Sequence, residues 1–486
     1  MRTQEQATRT PGLRRGLNIW EAIGISVALM APSMAANINP QATAGTVGRA
    51  VPLAFALATL GVLLVAYTFV RLCQQYHHAG SVYGFVGATL GARTGLVAGW
   101  GLLGTYTFYG VVTSMATGIF GTSFLDEIGV WPHPPTWAPF LIGALALVAV
   151  FGLTVSPVRR GTRILLSVEG ITVLLILIVS VVVLVRLLAG SAPQGRHFTL
   201  DVFTVPAGTG VSTLFLGVVF GFLSFAGFEA AATLGEETRH PRRDIPRAIL
   251  GTALFGGVYF VFVTAIEVMG FGATPEGVKA FAASGSLLGD LGTSYVGAWV
   301  GDLITLGAAV SAFGCALACA VGASRLTFAF SRDGVGPPAL SVVSQRRGTP
   351  HVAALAVVLA MYLIILIDAI LFGAKPFDVF LWSGTIGTLI LLVVYGLATV
   401  GAMRLLFFSG PRRVPAWEIV IPVLALLVLG YTLYRNVVPY PTGAAAWFPV
   451  VCGAWLAAAI VFAVLSPATA RRAGVSLSKL SSQPQP

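Results

Sequence analysis

The sequence predicts an all-α integral membrane protein with about twelve membrane-spanning helices. Three observations carry that prediction. The 486 residues are 56% hydrophobic and only 10% charged, with a mean hydropathy of +0.87, whereas a soluble chain of this size carries about a quarter charged residues. The apolar runs are long enough to cross a hydrocarbon core of about 30 Å as helices, and they lack the two-residue alternation of an outer-membrane barrel. Two of the runs, the first and the sixth, are interrupted near their centres.

In chain order the spans are expected at 18–44, 51–73, 95–123, 137–155, 162–188, 211–235, 247–271, 296–330, 351–372, 377–404, 416–435 and 444–466. The first holds Pro32 in mid-span, where the missing N–H and the ring break the helical ladder. The third and eighth carry the most small and polar residues, including Tyr106, Tyr109 and Thr113 in the third. The fifth has Glu169 as the only ionisable group in its middle, with Thr172 on the next turn. In the sixth, Phe220-Gly221-Phe222-Leu223-Ser224-Phe225-Ala226-Gly227-Phe228-Glu229 places glycines and a carboxylate where hydrocarbon is expected. Glu267 in the seventh and Asp368 in the ninth are read near the outer ends of their spans, where water reaches them. Ser383 and Thr385 in the tenth are cavity candidates, although such hydroxyls often bond back within their own helix. Residues 1–17 and 467–486 are polar tails.

Net charge is +11 and the pI about 9.9, but the cations follow topology. With both termini cytoplasmic, nearly all of the 29 Lys and Arg fall on the inner side, the exceptions being Arg49, Arg186, Arg196, Lys279, Lys375 and Arg435. The positive-inside rule explains that bias, so basicity does not call for a nucleic-acid partner. Cys73, Cys315, Cys319 and Cys452 all lie within or at the ends of spans. Cys315 and Cys319 share a helix face, but no histidine or carboxylate joins them in sequence, so no metal and no cofactor are expected.

The two interruptions lie five spans apart, and paired interrupted helices mark the binding site of an inverted-repeat transporter. The alternative is a proline kink plus a glycine packing face. A broken helix offers free amides to an anion at the start of its second half and free carbonyls to a cation at the end of its first. A zwitterionic α-amino acid matches both. The candidates are Ala31, Ser33 and Met34 in the first span, Ser224, Phe225, Ala226 and Gly227 in the sixth, and Tyr106 in the third. Glu229, Glu169 and Thr172 are candidates for coupling or helix support, because intramembrane carboxylates are costly and tend to be functional. Each carboxylate has the alternative of being satisfied by neighbouring helix groups.

Longer motifs add a resemblance. Phe225-Ala226-Gly227-Phe228-Glu229 leads to Glu236-Glu237-Thr238-Arg239-His240-Pro241, then Asp244-Ile245-Pro246-Arg247-Ala248. Ala323-Ser324-Arg325 continues to Ser331-Arg332-Asp333-Gly334, with Thr349-Pro350-His351 beyond. Gly80-Ser81-Val82-Tyr83 and Gly99-Trp100 precede and open the third span. Together these resemble the amino acid–polyamine–organocation permeases over most of the first ten spans. The resemblance implies a leucine-transporter-like fold: two five-helix inverted repeats within 18–404, at about 18–188 and 211–404, with helices 11 and 12 (416–466) behind. It also implies movement of an amino acid or amine across the cytoplasmic membrane by alternating access, coupled to H+ or Na+, without covalent chemistry.

The chain departs from the family twice. Met30-Ala31-Pro32-Ser33-Met34 stands where many members have a glycine-rich break, and the fifth helix lacks the lysine that proton-coupled members often carry. Close variants are a polyamine or ethanolamine carrier and an amino acid/amine antiporter; a non-transporting solute receptor on the same fold is a remoter one. Only Glu169 and Glu229 could meet a dication, which favours a neutral or weakly charged amino acid. An enzyme would need clustered acid–base groups, a channel would need a filter-like repeat, and neither is present in the sequence.

Overall fold

A computed structural model describes residues 18–76, 82–156, 159–234, 238–332, 334–344 and 348–465. Both tails expected at the ends of the chain lie outside these residues. The first half of the chain forms α1 (Ile19–Met30), α2 (Pro32–Val47), α3 (Val51–Gln75), α4 (Val82–Leu90), α5 (Ala92–Glu127), α6 (Ala138–Thr154) and α7 (Arg159–Leu188). The second forms α8 (Val211–Phe225), α9 (Pro241–Phe271), α10 (Pro275–Ala282), α11 (Leu287–Tyr295), α12 (Ala298–Arg332), α13 (His351–Leu366), α14 (Pro376–Met403), α15 (Val420–Arg435) and α16 (Trp447–Leu465).

Among the described residues, ten helical segments are long and apolar enough to cross a membrane. One of them, Ile19–Gln75, is 57 residues long, well beyond the ~20 that one crossing needs, and comprises α1, α2 and α3. The apolar helix α6 is shorter, at 17 residues. The expected spans therefore coincide with helices, with ends shifted by a few residues. Three short helices, α4, α10 and α11, were not expected. They flank the spans, where a sequence scan for long apolar runs cannot see them.

Helix α7 shows how burial sorts its residues. Ile171, Leu174, Ile178, Val181 and Val185 are more than half exposed, while Glu169, Thr172, Ile176, Val179 and Val183 are buried. Both sets recur at three- and four-residue spacing, so one face of the helix meets lipid and the other, with its carboxylate, meets protein.

Helices five spans apart pack on one another: α3 lies along α9, α5 along α12, and α2 along α8. Close approach depends on small residues. A Cβ added at Gly118 of α5 would stand 2.0 Å from the Pro139 carbonyl oxygen of α6, so the backbones touch there without a side chain between them. These pairings bring the two interruptions side by side in the bundle.

A candidate solute site between two broken helices

The first break is one residue wide. The Ala31 amide closes α1 by donating to the Val27 carbonyl at 3.1 Å. Ala31 then adopts a left-handed conformation with φ 46°, and Pro32 starts α2, where its missing N–H costs nothing. The next amides would be orphans at a helix start. Instead, Ser33 N–H donates to Glu169 Oε1 at 2.9 Å and Met34 N–H donates to Ser311 Oγ at 3.3 Å. A carboxylate from α7 therefore caps the positive end of α2.

The second break is wider. After α8 ends at Phe225, Gly227 takes φ 100°, and the chain re-forms only as a short 3-10 turn, Ala230–Leu234. Amides donate three residues back, from Ala226 to Leu223, Phe228 to Phe225, Ala230 to Gly227 and Ala232 to Glu229. That ladder skips the amides of Gly227 and Glu229, which instead donate to the Glu229 carboxylate, so this break too is capped by an acid. Gly227 is required twice over: its φ is unfavourable for any side chain, and an added Cβ would stand 2.6 Å from Leu29 Cγ. Glu229 Oε2 accepts from the Tyr395 hydroxyl at 2.9 Å.

Hydrogen bonds tie the broken helices together on both sides. Asn39 Nδ2 donates to Ser224 Oγ at 2.7 Å, and Ser224 Oγ donates on to the Phe220 carbonyl at 2.9 Å. Toward the other end, Ala231 N–H donates to Ser26 Oγ at 3.0 Å. Beyond the first break, Asn37 Oδ1 accepts from Ser286 Oγ and from the Leu288 amide, each at 2.9 Å, which fastens α2 to the start of α11.

A cavity of about 30 Å³ lies between the breaks. Its polar and thiol lining comprises Thr105, Tyr106, Tyr109 and Thr113 of α5, Cys315 and Cys319 of α12, and Glu229, while Leu29, Met30, Met34, Leu102, Leu223 and Leu391 are among its apolar walls. A second cavity, of about 560 Å³, runs from Arg325 and Thr349 to Glu169 and Ser311.

The structure distributes the expected site residues unequally. Met34, Tyr106, Ala226, Gly227 and Glu229 line the central cavity. Ala31, Ser33, Ser224 and Phe225 lie outside its lining: Ala31 makes the bend, Ser33 meets Glu169, Ser224 holds Asn39, and the Phe225 ring packs edge-on to Phe260. Glu169 borders the larger cavity. Thr172 bonds back to the Val168 carbonyl at 2.9 Å and packs over Gly307. Of the weaker candidates, Tyr109 donates to or accepts from Thr388 at 2.9 Å, Thr385 bonds back to the Leu381 carbonyl, and Ser383 Oγ has no partner among the described residues. Glu267 corrects the sequence reading. It is not near water but fully buried, and neither carboxylate oxygen has a hydrogen-bond partner among the described residues. Its position three to four residues from the helix end was a poor guide, because α10 and α11 pack against that end of α9.

Sequence reasoning missed Ser311, the thiols as cavity lining, and the buried amides Asn37 and Asn39. The polar run Asn37-Ile38-Asn39-Pro40-Gln41 inside an apolar span was the available signal, since buried amides need partners.

Comparison with known proteins bears on the family and the fold. A family model described as "Amino acid permease" matches residues 22–470. A branched-chain amino acid permease of Bacillus subtilis (strain 168) is 28% identical over 366 residues, covering 73% of this chain and 74% of the relative. A low-affinity putrescine importer of Escherichia coli (strain K12) is 27% identical over 334 residues, covering 67% and 68%. An uncharacterized transporter of Mycobacterium tuberculosis (strain ATCC 25618 / H37Rv) is 29% identical over 433 residues, 87% of each chain. Among solved structures, a manganese transporter of Eremococcus coleocola superposes with a TM-score of 0.52 at 14% identity, covering 96% of this chain and 99% of that one. That likeness bears on the fold, which is leucine-transporter-like and all-helical. The chain belongs to the amino acid permease family and is a multi-pass membrane transporter, not an enzyme.

Proposed function

We propose that the protein is a secondary active transporter that carries an apolar amino acid across the cytoplasmic membrane by alternating access. The observation that carries this reading is the cavity between the two breaks, whose walls are mostly aliphatic and whose one lining carboxylate, Glu229, is already engaged by Tyr395. An apolar side chain gains from such walls, whereas a dication would need a second carboxylate. At about 30 Å³ the cavity has room for a water or two, so an amino acid enters only when the helices around it move apart. We read twelve crossings, repeats at about 18–188 and 211–404, two further helices at 416–466, and both termini on the cytoplasmic side.

Glu169 is the coupling group in this reading. Ionised, it is attracted to the positive end of α2; protonated, it loses most of that attraction and loosens the bend at Pro32. The cavity of about 560 Å³ leads to it from the Arg325 and Thr349 end, which the positive-inside rule assigns to the cytoplasm. The test is uptake into proteoliposomes of a panel of labelled amino acids and putrescine, with proton and sodium gradients applied separately. Accumulation of an apolar amino acid that follows pH supports the reading. Uptake that follows sodium and ignores pH overturns the coupling assignment.

A second reading has one observation behind it. Glu229 borders the cavity and would attract an ammonium group, and one relative is a putrescine importer. Preferential putrescine accumulation, lost in Glu229→Gln, would favour it.

A further inference from the structure

Away from the breaks, a separate cavity lies between α5, α13, α14 and α16. It measures about 220 Å³, several times the central one, and shares no lining residue with it. Five aromatic side chains line it: Phe108 of α5, Phe372 just beyond α13, Trp382 of α14, and Trp447 and Phe448 of α16. Phe108 and Phe448 are buried and form the floor, whereas Phe372 and Trp447 are about half exposed and form the rim. The Phe372 ring stands edge-on to Trp382, with centroids 6.2 Å apart, and 6.4 Å from the Trp447 ring. The rest of the lining is aliphatic except for Asp368.

Asp368 sits in a single π-helical turn, Ile367–Leu371, that continues α13. Such turns are rare and concentrate at functional sites. The Asp368 side chain is half-buried and makes no hydrogen bond or ion pair among the described residues. A carboxylate in such apolar surroundings is costly to leave without a partner. Nothing in the transport reading uses it.

The lining discriminates between ligands by charge and by hydrogen bonding. An anion would meet Asp368 and no basic side chain. A hard metal ion takes about six or more oxygen ligands, and the cavity offers one carboxylate. A primary ammonium brings three N–H donors, most of which a single carboxylate and a wall of rings would leave unmet. A quaternary ammonium brings none. It pairs its charge with the carboxylate and lays its alkyl groups against the ring faces, as in aromatic cages. We propose that this cavity is a binding site for a quaternary ammonium ion, with Asp368 as the counter-ion and the five rings as the cage. Two sources carry that chemistry, a free organic cation and the choline headgroup of a lipid. Binding there requires no movement of the two breaks, so the site is independent of the transport reading.

The test measures equilibrium binding of radiolabelled tetraethylammonium to the purified full-length protein in a maltoside detergent. Saturable binding of one ion per chain is expected. Asp368→Asn should weaken it about tenfold or more, and Phe372→Leu, a change at the half-exposed rim, by about threefold or more. Unchanged thermal melting in both variants separates loss of binding from loss of fold. Glu229→Gln should bind the ion as the parent does, because Glu229 lies in the other cavity. No saturable binding in the parent, or equal binding in Asp368→Asn, overturns the proposal. Binding lost in Glu229→Gln and kept in Asp368→Asn also overturns it, by placing the ion in the central cavity. Nanodiscs of phosphatidylcholine and of phosphatidylethanolamine, equally zwitterionic but with a primary ammonium, distinguish the sources. Weaker tetraethylammonium binding in phosphatidylcholine assigns the site to a lipid headgroup, and equal binding assigns it to a free cation. If the ion binds as expected but no solute is ever accumulated, the transport reading fails and this site stands.

Discussion

The two breaks resemble each other in sequence position but not in physics. At the first, a single left-handed alanine turns the chain, and the amides exposed beyond it are already taken by Glu169 and Ser311. At the second, four residues from Ala226 to Glu229 stay outside α-helical geometry, and the chain borders the central cavity directly. The first break is latched by a carboxylate from another helix, and the second by its own Glu229, which Tyr395 holds in turn. The difference teaches that a broken membrane helix is not a binding site by virtue of its break. What matters is which part of the protein has already satisfied the groups the break exposes.

The largest expected effect lies at the second break. Gly227→Ala forces a Cβ into Leu29 at a φ of 100°, a backbone cost of about 1–3 kcal/mol before the clash is counted. Thermal melting should fall and uptake should be lost. Ala31→Gly at the first break should do the opposite, since glycine relieves a left-handed alanine by up to about 1–2 kcal/mol, although its greater freedom in the unfolded chain offsets part of that gain. Equal effects of the two substitutions would break the comparison.

Glu169→Gln comes next. Glutamine can still accept from the Ser33 amide, but it brings no charge to the start of α2, where a carboxylate contributes about 0.3–2 kcal/mol. Solute binding should persist while the pH dependence of uptake disappears. Tyr395→Phe removes the hydroxyl that holds Glu229. A hydrogen bond to a charged group contributes about 1.5–3 kcal/mol, and the effect should appear as weaker solute binding, because the carboxylate at the cavity wall is then held by the Gly227 and Glu229 amides alone. Binding that is unchanged would detach Glu229 from the second break.

The smallest effect on uptake lies far from both breaks. Arg71 Nη2 contacts Glu418 Oε1 and Oε2 at 2.7 and 2.6 Å, and Tyr67 donates to the same carboxylate at 2.5 Å. Glu418 is buried although Arg71 is partly exposed, so Glu418→Gln should cost stability about 1.5–3 kcal/mol and yet leave uptake intact. A larger transport defect would show that α15 takes part in the cycle.

Much of the fold was legible because a bilayer imposes simple rules. Span lengths, Pro32, and the glycines around Ser224 announce themselves in apolar surroundings, and each lies in a helix or at a break in the structure. The capping of α2 by Glu169 was not legible in that detail, because it depends on which face of α7 turns inward and on Ser311 arriving 277 residues later. For the same reason Ser33 reads in sequence as an open amide and appears in the structure as an occupied one. The central cavity draws on five separate stretches of chain, so its thiols and tyrosines could be nominated singly but not assembled. Glu267 shows the reverse failure, where distance from a helix end suggested water and tertiary packing removed it.

The central claim is that Glu169 latches the first break and thereby couples solute movement to protons. Its most direct test compares uptake of an apolar amino acid by the parent and by Glu169→Gln in proteoliposomes, with and without an inward proton gradient. The latch predicts that the gradient drives accumulation in the parent, while the variant exchanges solute across the membrane without accumulating it. Gradient-driven accumulation of equal size in both proteins would contradict it.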